Sequence, residues 1–279
     1  MGQMRHLRVV DTVLILLISY LASAVAFFLL GRHLSIRANA GVSAVVLLAV
    51  SWIWVRMLIG DVNGYVGIRK PRAVESLIAL WGAFAIILPA MAVEALFMRY
   101  YKMPPELIDA LMELVGARTF GELGYAIAVA AAGAAISEEF VFRGILLRSL
   151  SNRIGSYWAL IISSLVFSIM HTWRFPSALV IGIYLGYLFL ATGSIVPCLF
   201  AHFGINCVSI IGIFVSSRIG EESLPFWLRE ESPAPFWLLL PSLIAFAWAV
   251  VVIHRKLTAG VQEPSSEEHS GYTEHDLQG

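Results

Sequence analysis

The stretch that decides the fold runs from Leu123 to Leu147 and reads LGYAIAVAAAGAAISEEFVFRGILL. Three charges, Glu138, Glu139 and Arg143, interrupt an otherwise apolar run of membrane-spanning length, since a span needs roughly 20 residues. The run is continuous rather than alternating, and backbone groups in lipid must pair within their own segment, so it predicts a helix and not a barrel strand. Working outward, further apolar segments fall at 10–30, 41–60 and 75–97 on one side and at 157–172, 177–192, 194–216 and 235–253 on the other. The expected fold is therefore all-α: a polytopic transmembrane helix bundle of about eight spans, with seven as the fallback. The segments at 157–172 and 177–192 are short for a crossing, so tilt, extension or partial re-entry is expected there.

Composition supports this. Of 279 residues, 59% are hydrophobic and 14% charged, with a mean hydropathy of +0.80, whereas soluble domains are about one-quarter charged. The 19 basic residues balance the 19 acidic ones. With no basic patch, this argues against nucleic acid as a partner and leaves the lipid bilayer as the medium. Cys198 and Cys207 share one apolar run, roughly 13 Å apart along a helix, too far to pair with each other; they read as buried free thiols.

The ends and connections are polar. Ala22-Ser23-Ala24 resembles a signal-peptidase site, but the apolar run continues to Leu30, which predicts a retained first span. Asp11 reads as the N-cap of that helix. Residues 61–74 read as a polar loop. Residues 98–122, with Pro104-Pro105 followed by Glu106, Leu107, Leu111, Leu114 and Val115, predict an amphipathic helix on the membrane surface. Residues 258–279 read as a disordered polar tail. With eight spans and an inside N-terminus, the inner segments hold nine Lys and Arg and the outer ones eight. The positive-inside rule thus leans towards both termini in the cytoplasm.

Few charged residues lie at membrane depth: Glu94, Glu138, Glu139, Arg143, His171 and His202, joined by the polar Asn206. The three charges at 138–143 would cost roughly 7–10 kcal/mol if they faced lipid, so they must face the bundle interior or a wet cavity, and a function is the default hypothesis. Glu139 and Arg143 are spaced i,i+4 and can pair on one face. Glu138 points about 100° away and is free to face something else. The bland alternative is that all three form one buried network pinning helices together. Two further patterns weigh against it. His171 follows Phe167 at i,i+4, and His202 precedes Asn206 at i,i+4. A lone histidine in an apolar helix is usually a packing residue; two histidines, a carboxylate pair and an amide form a constellation. Counted from the inner loops, Glu138 lies about 15 Å deep, His202 about 12 Å and His171 about 23 Å. The third depth disagrees by about 10 Å, within reach of boundary errors of 2–4 residues. Glu94 reads as interfacial or as part of a substrate cavity.

Glu138-Glu139-x-x-x-Arg143, Phe167-x-x-x-His171 and His202-x-x-x-Asn206, in this order on separate apolar helices, resemble the three-motif signature of the CPBP family, the CAAX-protease and bacteriocin-processing proteins. The match spans 138–206 with no departure at the motif positions. The resemblance implies an intramembrane endopeptidase, with residues 1–257 as its transmembrane catalytic domain. It implies that Glu138 and His171 activate the attacking water, that His202 and Asn206 stabilise the oxyanion, and that Glu139 and Arg143 support the site. Ser137 gains no role from it. Its implied partners are membrane proteins or peptides as substrates: prenylated CAAX proteins in eukaryotes, peptides or other membrane proteins in bacteria.

Metal dependence stays open in the sequence. Glu138, His171 and His202 could form a His₂Glu zinc site with an open water position, but no His-Glu-x-x-His helix supports it. Cys198, four residues before His202, is a possible ligand on chemistry alone. Water activation without a tightly bound metal is the preferred reading. Two other classes compete with the peptidase. A proton-coupled transporter would use the buried Glu, His and Arg as an ion pathway, yet it would be expected to show inverted repeats or paired broken helices. A non-catalytic immunity or scaffold protein would not need all of Glu138, His171, His202 and Asn206.

Overall fold

A computed structural model describes residues 7–69, 73–219 and 235–261. Among them every regular element is helical. Helices α1 (Val9–Leu30), α2 (Ile36–Leu58) and α4 (Ala73–Met98) are long and apolar enough to cross a membrane. So are the composite α6 (Phe120–Ile154), α8 (Phe175–Thr192), α9 (Ile195–Ile219) and α10 (Phe236–Val261). The eighth apolar helix, α7 (Ser156–Met170), has 15 residues and is shorter than a normal crossing. The chain is an integral, multi-pass membrane protein. Most expected segments are recovered within a few residues, but α6 runs well past 147, to Ile154, and α7 ends before His171.

Burial separates a central group from the lipid-facing rim. Half of the apolar window of α8 is buried, against 11% for α1 and for α10. The exposed faces of the rim helices carry large apolar side chains, among them Leu17, Leu21 and Phe28 on α1 and Ile244 and Trp248 on α10, as lipid contact requires. Between helices, polar side chains act as glue. Ser51 Oγ donates to Ser19 Oγ at 2.9 Å, Asn39 Nδ2 to the Phe27 carbonyl at 2.8 Å, and the buried Tyr184 hydroxyl to the Ala79 carbonyl at 2.6 Å.

Three local expectations change. Asp11 is not the N-cap of α1: Arg8 holds that position, and the Asp11 carboxylate accepts from both the Arg8 backbone N–H and its guanidinium. The segment 61–74 is more than a polar loop. It folds into a short helix, α3 (Val62–Val66), capped by Asp61, with Val62, Tyr65 and Val66 buried. Three of its residues are apolar or aromatic on one turn, too few for periodicity to reveal. The expected surface helix appears as α5 (Pro105–Val115), with no buried residue and with Leu107, Ile108 and Met112 exposed. Its C-terminal carbonyls are held by Arg37 of α2, whose guanidinium donates to the Leu114, Glu113 and Gly116 oxygens. Helix α10 runs to Val261, and the remainder of the expected tail, 262–279, lies outside the described residues.

Candidate active site

Helix α6 is regular only in parts. Ala134–Glu139 is α-helical between two π-helical stretches, Ile127–Gly133 and Phe140–Leu147, a widening that recurs at functional sites. The two glutamates sit at the last α-helical positions, and they diverge as the helical rotation requires. Glu139 is fully buried and receives Arg143 Nη1 at 2.7 Å; Glu138 keeps 21% of its side chain accessible. Arg143 is buried with every face engaged. Its Nη2 donates to the Gly182 carbonyl at 3.2 Å, and its guanidinium stacks 4.5 Å from the Phe167 ring centre.

His171 occupies the C-cap of α7, where the helix gives way to a 3-10 turn, Thr172–Arg174, leading into α8. Its Nδ1 lies 2.8 Å from the Phe167 carbonyl oxygen. A carbonyl only accepts, so Nδ1 carries a proton, and the neutral tautomer with that proton has a bare Nε2. Next to it, Thr172 has φ 49°, the sole non-glycine residue with positive φ among those described. A β-branched residue is strained there. His202, buried on α9, faces the other way: its Nδ1 donates to Glu139 Oε1 at 2.7 Å. Both Nε2 atoms converge on Glu138 Oε2, His171 at 3.7 Å and His202 at 3.9 Å. That oxygen is shielded and has no hydrogen-bond partner.

Beside this cluster lies a cavity of about 170 Å³, walled by His171, His202, Asn206, Glu94 and Phe167. Asn206 Nδ2 makes one long hydrogen bond, 3.4 Å to the Ala130 carbonyl. Glu94 is on this wall rather than at the interface. Its Oε2 accepts from the Ser177 backbone N–H at 3.2 Å, tying α4 to the first turn of α8, and its Oε1 is buried without a partner.

Residues 120–208, from the start of α6 to Val208 in α9, match the family described as type II CAAX prenyl endopeptidase Rce1-like. This segment is a CAAX-protease-family domain. No curated protein and no solved structure matches the chain. The match supports an intramembrane protease in general terms, and it contains all three motifs.

Within the CAAX-protease-family domain, the structure brings Glu138, Glu139, Arg143, His171 and His202 into one cluster, with Asn206 on the adjoining wall. Glu139 does more than steady a helix, because it also fixes the ring of His202. Phe167 was visible only as the residue four before His171. It proves to be the plate against which the site is packed: its ring lies 4.4 Å from His171, 5.9 Å from His202 and beneath Arg143. Gly182 had no signal in the sequence, because a backbone carbonyl has none. Cys198 is spoken for elsewhere: its buried Sγ donates to the Leu185 carbonyl at 3.3 Å. Cys198 and Cys207 are both free thiols. Among the described residues no group of three or more His, Cys, Asp or Glu side chains is arranged to hold a metal, so the residues do not form a ready zinc cage.

Proposed function

We propose that this chain is an intramembrane endopeptidase that hydrolyses a peptide bond of a membrane-associated protein or peptide with water activated by Glu138 and His171. The observation that carries the reading is the convergence of two imidazole Nε2 atoms on one unpartnered, shielded carboxylate oxygen, beside a cavity inside the helix bundle.

Each role follows from the donors available. The bare Nε2 of His171 accepts one hydrogen bond from a water and so orients it. Glu138 Oε2 takes the other proton as the water oxygen adds to the scissile carbonyl carbon. The resulting oxyanion accepts from Asn206 Nδ2 and from Nε2–H of His202 in its doubly protonated form. Each such donor is worth about 3–4 kcal/mol to the transition state. The Nδ1–H of His202 is held by Glu139 Oε1. Collapse of the tetrahedral intermediate sends the proton from Glu138 to the leaving amine, leaving a new carboxylate and a new amino terminus.

No step is routed through a metal. With α7 counted as an eighth crossing, both termini fall on one side, and the balance of loop charges supports the cytoplasm. The test compares membrane proteomes of cells making wild type, Glu138→Ala or His171→Ala. Termini that depend on both residues are expected; identical proteomes from folded, inserted variants would overturn the peptidase.

A further inference from the structure

A second and larger cavity, about 600 Å³, opens where α2 and α6 begin and α9 ends. Its charged wall residues are Arg37, Arg118, Arg218, Glu113 and Glu122. The two carboxylates are already engaged with backbone: Glu113 Oε1 accepts from the Ile36 N–H and Glu122 Oε2 from the Arg118 N–H. Arg37 is fixed by three carbonyls of α5 and its turn. Arg218 is fixed by the Arg118 carbonyl and by the rings of Phe120 and Phe214. The Arg118 guanidinium makes no ion pair among the described residues. Among the described residues, three guanidinium groups against two carboxylates leave the chamber net positive, with two cations held by hydrogen bonds and one uncommitted.

This chamber and the catalytic cavity share a wall. Ile213 lines both, and successive residues of α5 alternate between them: Leu111 and Val115 face the catalytic cavity, Met112 and Glu113 the arginine-lined one. From Asn206 to Arg218 the helix axis covers about 18 Å, which an extended chain spans in about five or six residues.

We infer that the arginine-lined chamber is a substrate subsite that takes acidic side chains about five or six residues from the scissile bond. The inference rests on the peptidase reading for its link to cleavage, but the binding itself does not. Fixed guanidinium groups suit carboxylates because their donor geometry is preset. The recognised class is therefore a membrane-associated polypeptide with an acidic flank just outside the bilayer.

Binding is tested with full-length protein carrying Glu138→Gln, in phosphatidylcholine nanodiscs, using fluorescein-labelled hexaglutamate against hexaserine. Hexaglutamate alone is expected to bind, weakening with salt. Adding Arg118→Glu is expected to weaken it at least about tenfold, and Arg118→Lys to retain most of it. Absence of binding, or equal binding by Arg118→Glu, overturns the subsite. Loss of peptide binding when phosphatidylglycerol is added assigns the chamber to lipid phosphate and also overturns it. In cells, Glu138-dependent cleavage sites are expected to carry acidic residues at that spacing and to be cut poorly by Arg118→Glu. Cleavage unaffected by Arg118→Glu counts against the subsite, whereas no Glu138-dependent cleavage at all counts against the peptidase, with hexaglutamate binding still deciding the chamber.

Discussion

Glu139 and Arg143 form the most heavily buried ion pair described in the protein, with side-chain exposures of 0% and 2% and a separation of 2.7 Å. Arg143→Met removes the cation but leaves the Glu139 carboxylate buried, with only the His202 Nδ1–H to stabilise it. Breaking a buried pair from one side costs about 3–5 kcal/mol. The guanidinium's bond to Gly182 O and its contact with Phe167 also disappear, and each of these lies within that range rather than beyond it. The expected fall in unfolding temperature is on the order of 10 °C. Glu139→Gln alone should cost less, because the amide oxygen can still accept from Arg143. The double variant Glu139→Gln/Arg143→Met is the discriminating case: it removes the uncompensated charge and should be no less stable than Arg143→Met.

The assay is thermal unfolding of the three variants and wild type in one detergent, read as a double-mutant cycle. Additive costs would refute the reasoning, because they would mean that the carboxylate is stabilised by something other than Arg143. Activity separates the roles further. With Glu139→Gln, the amide can turn its N–H₂ towards His202 Nδ1, which leaves Nε2–H on a neutral ring and removes the charge that faces the oxyanion, so processing should fall by about 10²-fold even though the fold survives.

Asn206→Ala should lower turnover by about 10²–10³-fold with little change in apparent substrate affinity, since an oxyanion donor acts in the transition state; a pure affinity loss in a steady-state assay would contradict this. Chelation should leave activity intact, and metal analysis should find zinc far below one equivalent. Stoichiometric zinc lost together with activity would sink the metal-free mechanism. Gly144→Ala places a methyl group 2.8 Å from Val66 Cβ, which should destabilise the α3–α6 contact by about 1–3 kcal/mol. Activity per folded molecule should fall as well, because α3 carries the start of α9 and so sets the height of His202.

The sequence carried the helices and most of the site because cost is legible in a membrane protein. A charge inside an apolar run must be explained, and Glu138, Glu139, Arg143, His171 and His202 were conspicuous for that reason alone. What stayed hidden has no cost signature. The Gly182 carbonyl and the strained Thr172 belong to the backbone. Phe167 is one phenylalanine among sixteen, so its place beneath Arg143 and both imidazoles could not be told from ordinary packing. The bond between Glu139 and His202 joins residues 63 positions apart, and i,i+4 reasoning reaches only along a single helix. Resemblance to a known family supplied the chemistry that residue cost alone could not name.

The depth discrepancy of His171 shows where linear counting failed. The count starts from the gap between the apolar segments 123–147 and 157–172, but Arg148–Ile154 in that gap is helical and only Gly155, at φ 81°, separates α6 from α7. The two helices therefore form a hairpin about Gly155. Glu138 lies 17 residues before that turn and His171 16 residues after it, so on antiparallel axes both stand at about 24–26 Å and meet. His202 needs a separate account, because only seven residues separate it from the start of α9, about 10 Å. Its turn stops short of the level of Gly155. It rests on α3, with the Ile195 N–H donating to the Gly67 carbonyl at 3.1 Å, while Arg148 of α6 bonds the Tyr65 carbonyl on the same short helix. From that shared level Glu138 is ten residues up α6, about 15 Å, close to the height of His202. Helix α3 therefore acts as the shim that lifts α9 until its histidine faces the glutamate.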